Sequence, residues 1–277
     1  MVGRSKQPKI RSLIFLALAL TAAPALGQTI VKTDRQWSSE GQHMAYASPW
    51  CANYDKTLIE GRDYSDTITY QTGDLAKATN VQLSWRWPLL PSPKCGVRGY
   101  NHVAWGNYDG GDVRSPVAPR QVSSIADLTL TYEVEDAGGY AVGTQGYNGL
   151  GEFYLTTKPG DAHAKAIEIG WFWNAPLATR AWAATGKQLG TFKDRYRQSW
   201  KVAANVGGAA GLYVTFTPDN ATGRKVKGTF DGKGALDFLR AAGVVKGEWW
   251  LNGAAIGVEP LRGMGTAVVR RFDVVVR

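Results

Sequence analysis

Residues 127–135 read DLTLTYEVE. Leu128, Leu130, Tyr132 and Val134 alternate with polar neighbours, so a strand here has one apolar face and one wet face. The same period of two runs through VQLSWRW (81–87), GLYVTFTP (211–218) and RRFDVVVR (270–277). Half-buried alternation marks antiparallel sheets with one face on a core. Turn residues separate the runs, as in KPGD (158–161) and PDNATG (218–223), because Gly, Pro, Asn and Asp reverse the chain with little strain. Outside the N-terminal leader one segment reads as a helix, GALDFLRAAGVV (234–245). It sets Leu236, Leu239 and Ala242 or Gly243 on one stripe, with Asp237 in the first turn and Gly243 near the stop. Many strands and one late helix predict an all-β fold: a two-sheet antiparallel β-sandwich of jelly-roll (concanavalin-like) type.

The N-terminus has a different character. MVGRSKQPKIRS carries four basic residues and no acidic one, then LIFLALALTAA is apolar, and Ala25-Leu26-Gly27 supplies small residues. This is the pattern of a secretory signal peptide over residues 1–27, and its apolar run is short for a membrane span. The expectation is a secreted protein, extracellular or periplasmic. Residues 28–277 then form a single jelly-roll domain, with 28–60 as a less defined N-terminal extension, a length that suits one large core. The formal charge of +9 falls to about +5 without the leader, and its basic residues are interspersed with acidic ones. With no nucleic-acid motif in the chain, this is solubility charge and not a phosphate-binding surface. No nucleic-acid partner is expected, no membrane contact after leader removal, and a monomeric state. The chain has two cysteines, Cys51 and Cys95. A lone pair in an exported chain predicts a disulfide, and the spacing fits no metal site.

Two glutamates interrupt apolar strands. In AIEIGWFWN (166–174), alternation puts Ile167, Ile169, Trp171 and Trp173 on the core face. Glu168 shares the opposite face with Ala166, Gly170 and Phe172. An ionised carboxylate in an apolar setting is costly, so this one should face either bulk water or a cleft. Small neighbours predict open space above it. In AAIGVEPLRG (254–263), Glu259 repeats the arrangement beside Ala255 and Gly257, with Pro260 ending the strand. Two carboxylates on separate strands beside cleared surface are what glycoside hydrolysis requires: one protonates the leaving oxygen, the other attacks or activates water. Eleven Trp, 12 Tyr and 8 Phe supply flat rings for the apolar faces of sugars. The expected cleft aromatics are Trp105, Tyr108 and Phe172.

Over roughly residues 80–277 the chain resembles glycoside hydrolase family 12, secreted endo-β-1,4-glucanases and xyloglucanases of jelly-roll fold. Glu168-Ile169-Gly170-Trp171-Phe172-Trp173 matches the family's nucleophile strand E-I-M-I-W-[LF], and Gly257-Val258-Glu259-Pro260-Leu261 its acid/base strand G-T-E-P-F. Glu152-Phe153-Tyr154-Leu155 stands at the family's D-[IL]-[WF]-[LT], and VRGYNHVAWG (97–106) resembles its K-x-Y-P-x-V-x-x-G segment. The family's single helix precedes the acid/base strand, as 234–245 does here. The resemblance implies Glu168 as nucleophile, Glu259 as acid/base, and Glu152 in place of the Asp that hydrogen-bonds the nucleophile. Gly170 replaces a Met and Phe172 a Trp near the sugar, so the floor beside Glu168 should be wider and could admit a branched chain. The implied activity is a retaining endo-glycosidase on β-1,4-glucan or xyloglucan, with a polysaccharide as its partner and no metal or organic cofactor. The alternative is a non-catalytic, lectin-like glucan-binding jelly roll.

Overall fold

Alternating strands become two stacked sheets in the computed structural model, which describes residues 28–109, 115–140 and 142–277. The signal peptide expected over 1–27 lies outside the described residues. The smaller sheet has six strands in spatial order: β1 (Thr29–Thr33), β4 (Ser65–Gln71), β5 (Val81–Trp87), β17 (Gly263–Val276), β8 (Leu128–Tyr140) and β14 (Lys227–Asp231). The larger sheet runs β11 (Lys187–Lys193), β12 (Ser199–Val206), β13 (Leu212–Pro218), β10 (Lys165–Asn174), β9 (Tyr147–Thr156), β16 (Gly253–Pro260), β6 (Asn101–Gly106), β3 (His43–Tyr46) and β2 (Trp37–Glu40). A short pair, β7 (Arg120–Gln121) and β15 (Trp250–Leu251), joins it alongside β9. Pairing is antiparallel except between β10 and β13. Residues 29–46, in the stretch read as a less defined extension, supply edge strands to both sheets.

The main core lies between the sheets. Leu83, Trp85 and Val269 of the smaller sheet meet Val103, Phe153, Ile169 and Trp171 of the larger one. Trp171 stacks on Phe230 across the gap, with ring centroids 5.0 Å apart. The glycines of Asn148-Gly149-Leu150-Gly151 belong to this packing. A Cβ on Gly149 or Gly151 would run into the indoles of Trp173 or Trp171 from the neighbouring strand, so two adjacent Trp side chains require two glycines beside them.

Among the described residues three α-helices connect the strands: α1 (Cys51–Tyr54), α2 (Leu177–Thr185) and α3 (Gly232–Ala241). Two expectations need correction. Helix α3 starts two residues earlier than expected, because Asp231 caps it by accepting the Gly234 N–H at 3.0 Å, and Asp237 then falls beyond the first turn. Its buried stripe is Ala235, Leu236 and Leu239; Ala242 and Gly243 are exposed. The expected single helix is joined by α2, an alanine-rich helix of about two and a half turns beginning after Pro176. Cys51 and Cys95 form the disulfide, with Cα atoms 5.9 Å apart. It ties α1 to the segment leading into β6. Among the described residues no helix is long and apolar enough to cross a membrane.

Candidate active site

The larger sheet has a second apolar cluster on the face turned away from the main core: Leu150, Tyr154, Phe172, Tyr213 and Ala255 among others. Above it opens a cleft of about 870 Å³, lined by Glu168, Glu152 and Glu259 together. Strand parity brings them there. Glu168 sits on β10, Glu152 on β9 opposite Gly170, and Glu259 on β16 opposite Asn148. Three adjacent strands thus each aim one carboxyl at the same space.

Each carboxyl has its own partners. Glu168 is 6% exposed, and its Oε2 accepts the Ala209 N–H at 2.7 Å. Gly208, next to this donor, has φ +70°, and a Cβ there would strike the Glu168 carboxylate. Only glycine lets the β12–β13 turn come this close. Glu152 is 2% exposed. The Tyr108 hydroxyl donates to its Oε1, and Tyr213 to its Oε2 at 3.4 Å. It also shares a hydrogen bond with Glu168. Glu259 accepts the Asn148 Nδ2–H at 2.9 Å, and Asn148 Oδ1 accepts the Thr179 hydroxyl from α2.

All three carboxyls titrate above their ordinary range. Burial pushes Glu152 well up, and the Glu168 charge adds to it, so Glu152 is the group that keeps its proton. Burial takes Glu168 up to about 7, opposed by the Ala209 N–H and raised further by Glu259. Burial, then the neighbouring Glu152 carboxyl, takes Glu259 up to about 8, opposed by Asn148. His102 in the same cleft is pushed down to about 4 by burial, so it is neutral.

The other expected site residues divide. Tyr108 lies in the cleft, although its part is the hydrogen bond to Glu152. Phe172 forms the floor and is 1% exposed. Trp105 does not reach the cleft. On β6, His102 and Ala104 take the cleft face, and Trp105 has the opposite parity. It packs against the main core and donates to Gln42 Oε1 at 3.2 Å. Gly170 opens no space either. The Tyr213 hydroxyl occupies the position a Cβ would take, and Gly170 is not on the cleft wall. Gly257 likewise accommodates the backbone of Asn101 and His102. The expected wider floor is therefore filled by a tyrosine. Gly170→Ala should displace Tyr213 and destabilise the fold by about 1–3 kcal/mol, as overpacking does. Urea unfolding measures this, and an unchanged midpoint would refute the packing role.

Sequence reasoning passed over several cleft residues. Asn148 and Tyr154 share the parity of Glu152 and were readable from alternation. Trp182 of α2 is 40% exposed in the cleft wall, its ring 5.7 Å from that of Tyr213. Trp50 and Tyr54 line the side beside the disulfide. Among the described residues no group of three His, Cys, Asp or Glu side chains is placed to hold a metal ion.

The architecture is a jelly roll with a carboxylate-lined cleft on the open face of its larger sheet. This is the fold of the family 12 glycoside hydrolases. A native family 12 xyloglucanase from Bacillus licheniformis matches with a TM-score of 0.65 at 17% identity, covering 90% of this chain and 100% of that one. Endoglucanase 3 of Trichoderma harzianum, also family 12, matches with a TM-score of 0.67 at 18% identity, over 92% of this chain and 100% of that one. A Humicola grisea catalytic domain in complex with a soaked thio-cellotetraose matches with a TM-score of 0.66 at 13% identity, over 90% and 99%. No protein-family model and no curated protein matches the sequence. At these identities the likeness is one of fold.

Proposed function

We propose that the chain is a secreted retaining endo-glycosidase that hydrolyses β-1,4-glucan or xyloglucan by double displacement. The observation that carries this reading is the meeting of Glu168, Glu152 and Glu259 in one ring-lined cleft. Ionised Glu168 attacks the anomeric carbon while Glu259 gives its proton to the departing glycosidic oxygen. A covalent glycosyl-enzyme remains. Glu259, now ionised, takes a proton from a water that attacks the same carbon and releases Glu168 as a carboxylate. The Ala209 N–H and the proton on Glu152 both donate to Glu168. They favour its charged form, as nucleophile and again as leaving group.

The cleft runs along the sheet surface with exposed Trp182 on the β13 side and Trp50 and Tyr54 on the β6 side. Rings on both sides of the carboxyls suit an internal stretch of polymer. The fold neighbours that are a xyloglucanase and an endo-1,4-β-glucanase support a β-1,4-linked backbone as substrate.

Reducing-sugar release from carboxymethylcellulose, mixed-linkage β-glucan and xyloglucan tests the proposal. Hydrolysis of at least one is expected. Binding of all three without new reducing ends would leave only a glucan-binding protein. The pH dependence is a second test. Glu168 must be ionised and Glu259 protonated, and burial holds them at about 7 and about 8. Plotted against pH, kcat/KM should rise through the first value and fall through the second. A rate that is flat from pH 5 to 10 would exclude this assignment.

A further inference from the structure

Glu259 is reached from α2 by two hydrogen bonds in series. The Thr179 hydroxyl donates to Asn148 Oδ1, and Asn148 Nδ2 donates to Glu259 Oε2 at 2.9 Å. Thr179 and Asn148 are both buried, at 7% and 4% exposure. An amide has one accepting end and one donating end. A hydroxyl donor held at the oxygen end leaves the nitrogen end for the carboxyl. Here the Thr179 hydroxyl donates to the oxygen end, and the nitrogen end faces Glu259.

We propose that Thr179 is a positioning residue for the acid/base: it holds the Asn148 amide so that its N–H, and not its carbonyl, meets Glu259. The proposal rests on the hydrolase reading for its catalytic meaning, but the orientation itself does not. With the N–H turned inward, the ionised carboxylate has a donor and the proton leaves more readily. With the carbonyl turned inward, a protonated Glu259 has an acceptor and keeps its proton. Asn148 is the group that opposes the upward push of burial on Glu259.

Helix α2 is held firmly enough for this. The Leu177 N–H donates to Gln145 Oε1 at 2.9 Å, and Asn205 Nδ2 donates to the Trp182 carbonyl at 3.0 Å. The other groups around Glu259 are independent of Thr179. Glu152 and Glu168 sit on β9 and β10, with the phenols of Tyr100 and Tyr213 near both. His102 on β6 is neutral. Arg98 turns its guanidinium to the carbonyls of Leu90 and Leu261. Of the cations lining the cleft, Lys94 pairs with Asp55 and Lys165 with Asp109.

The test is Thr179→Val, which keeps the volume and removes the hydroxyl, beside Thr179→Ser, which keeps the hydroxyl. Carbon-13 carboxyl NMR reads Glu259 directly, its signal assigned by loss in Glu259→Gln. In Thr179→Val the titration of Glu259 should move up by about half a pH unit or more, and the falling limb of kcat/KM should move with it. Thr179→Ser should titrate as the parent does. An unmoved Glu259 in Thr179→Val, or an equal shift in Thr179→Ser, overturns the proposal. If Thr179→Val fails to fold by circular dichroism, Thr179→Ala asks the same question with the same readout. A parent protein that cleaves no glucan while Glu259 still shifts in Thr179→Val would refute the hydrolase reading and leave the positioning role standing.

Discussion

Glu168→Gln should lower kcat on soluble β-glucan by about 10⁴-fold or more, the scale on which removal of a nucleophile acts when other groups depend on it. The amide has the volume of the acid but cannot form the glycosyl ester. Folding should be intact, because the side chain is buried against the 207–211 turn and the substitution preserves its shape. The amide oxygen can still accept the Ala209 N–H. Oligosaccharide binding, followed by tryptophan fluorescence, should persist within about threefold, since the rings and not the nucleophile carry most of the contact. Turnover at the parent rate would remove Glu168 from the mechanism.

Glu259→Gln has the second largest expected effect, a loss of about 10²–10⁴-fold on polysaccharide, the usual contribution of a general acid. The loss should depend on the leaving group. An aryl glycoside whose phenol leaves without protonation should show little loss in the first step, visible as a burst of phenol. Equal losses on both substrates would assign Glu259 another role. The same variant changes stability with a definite sign. Burial raises Glu259 from the ordinary 4.5 to about 8 in the folded protein. The folded state therefore holds a proton that the unfolded chain releases, and stability falls as pH rises between those values. Glutamine carries no such charge. Glu259→Gln should match the parent near pH 4 and exceed it by up to about 5 kcal/mol at pH 9, measured by denaturant unfolding at both pH values. A parent that is equally stable at pH 9 would mean that Glu259 is not raised.

The amino-acid sequence by itself determined the two-sheet architecture and the facing of the carboxyls. A strand alternates its side chains with a fixed period of two, so Ile167, Ile169, Trp171 and Trp173 could only be core once Glu168 faced the cleft. The same parity placed Glu259, the family resemblance pointed to Glu152, and parity also contained the answer for Trp105, whose position on β6 is of the core parity. The cysteine pair was readable because there was no other partner to choose. What occupies the space over a small residue is a different kind of fact. Gly170 and Gly257 read as cleared ground, yet Tyr213 from β13 and the β6 backbone fill it, because in a close-packed protein a missing side chain is usually matched by a neighbour's. The Ala209 N–H on Glu168, and Thr179 acting on Glu259 through Asn148, depend on a turn and a helix remote in sequence. No local period encodes such contacts. They exist only once loops are laid over the sheet, and so only the tertiary structure decided which donors each carboxyl meets.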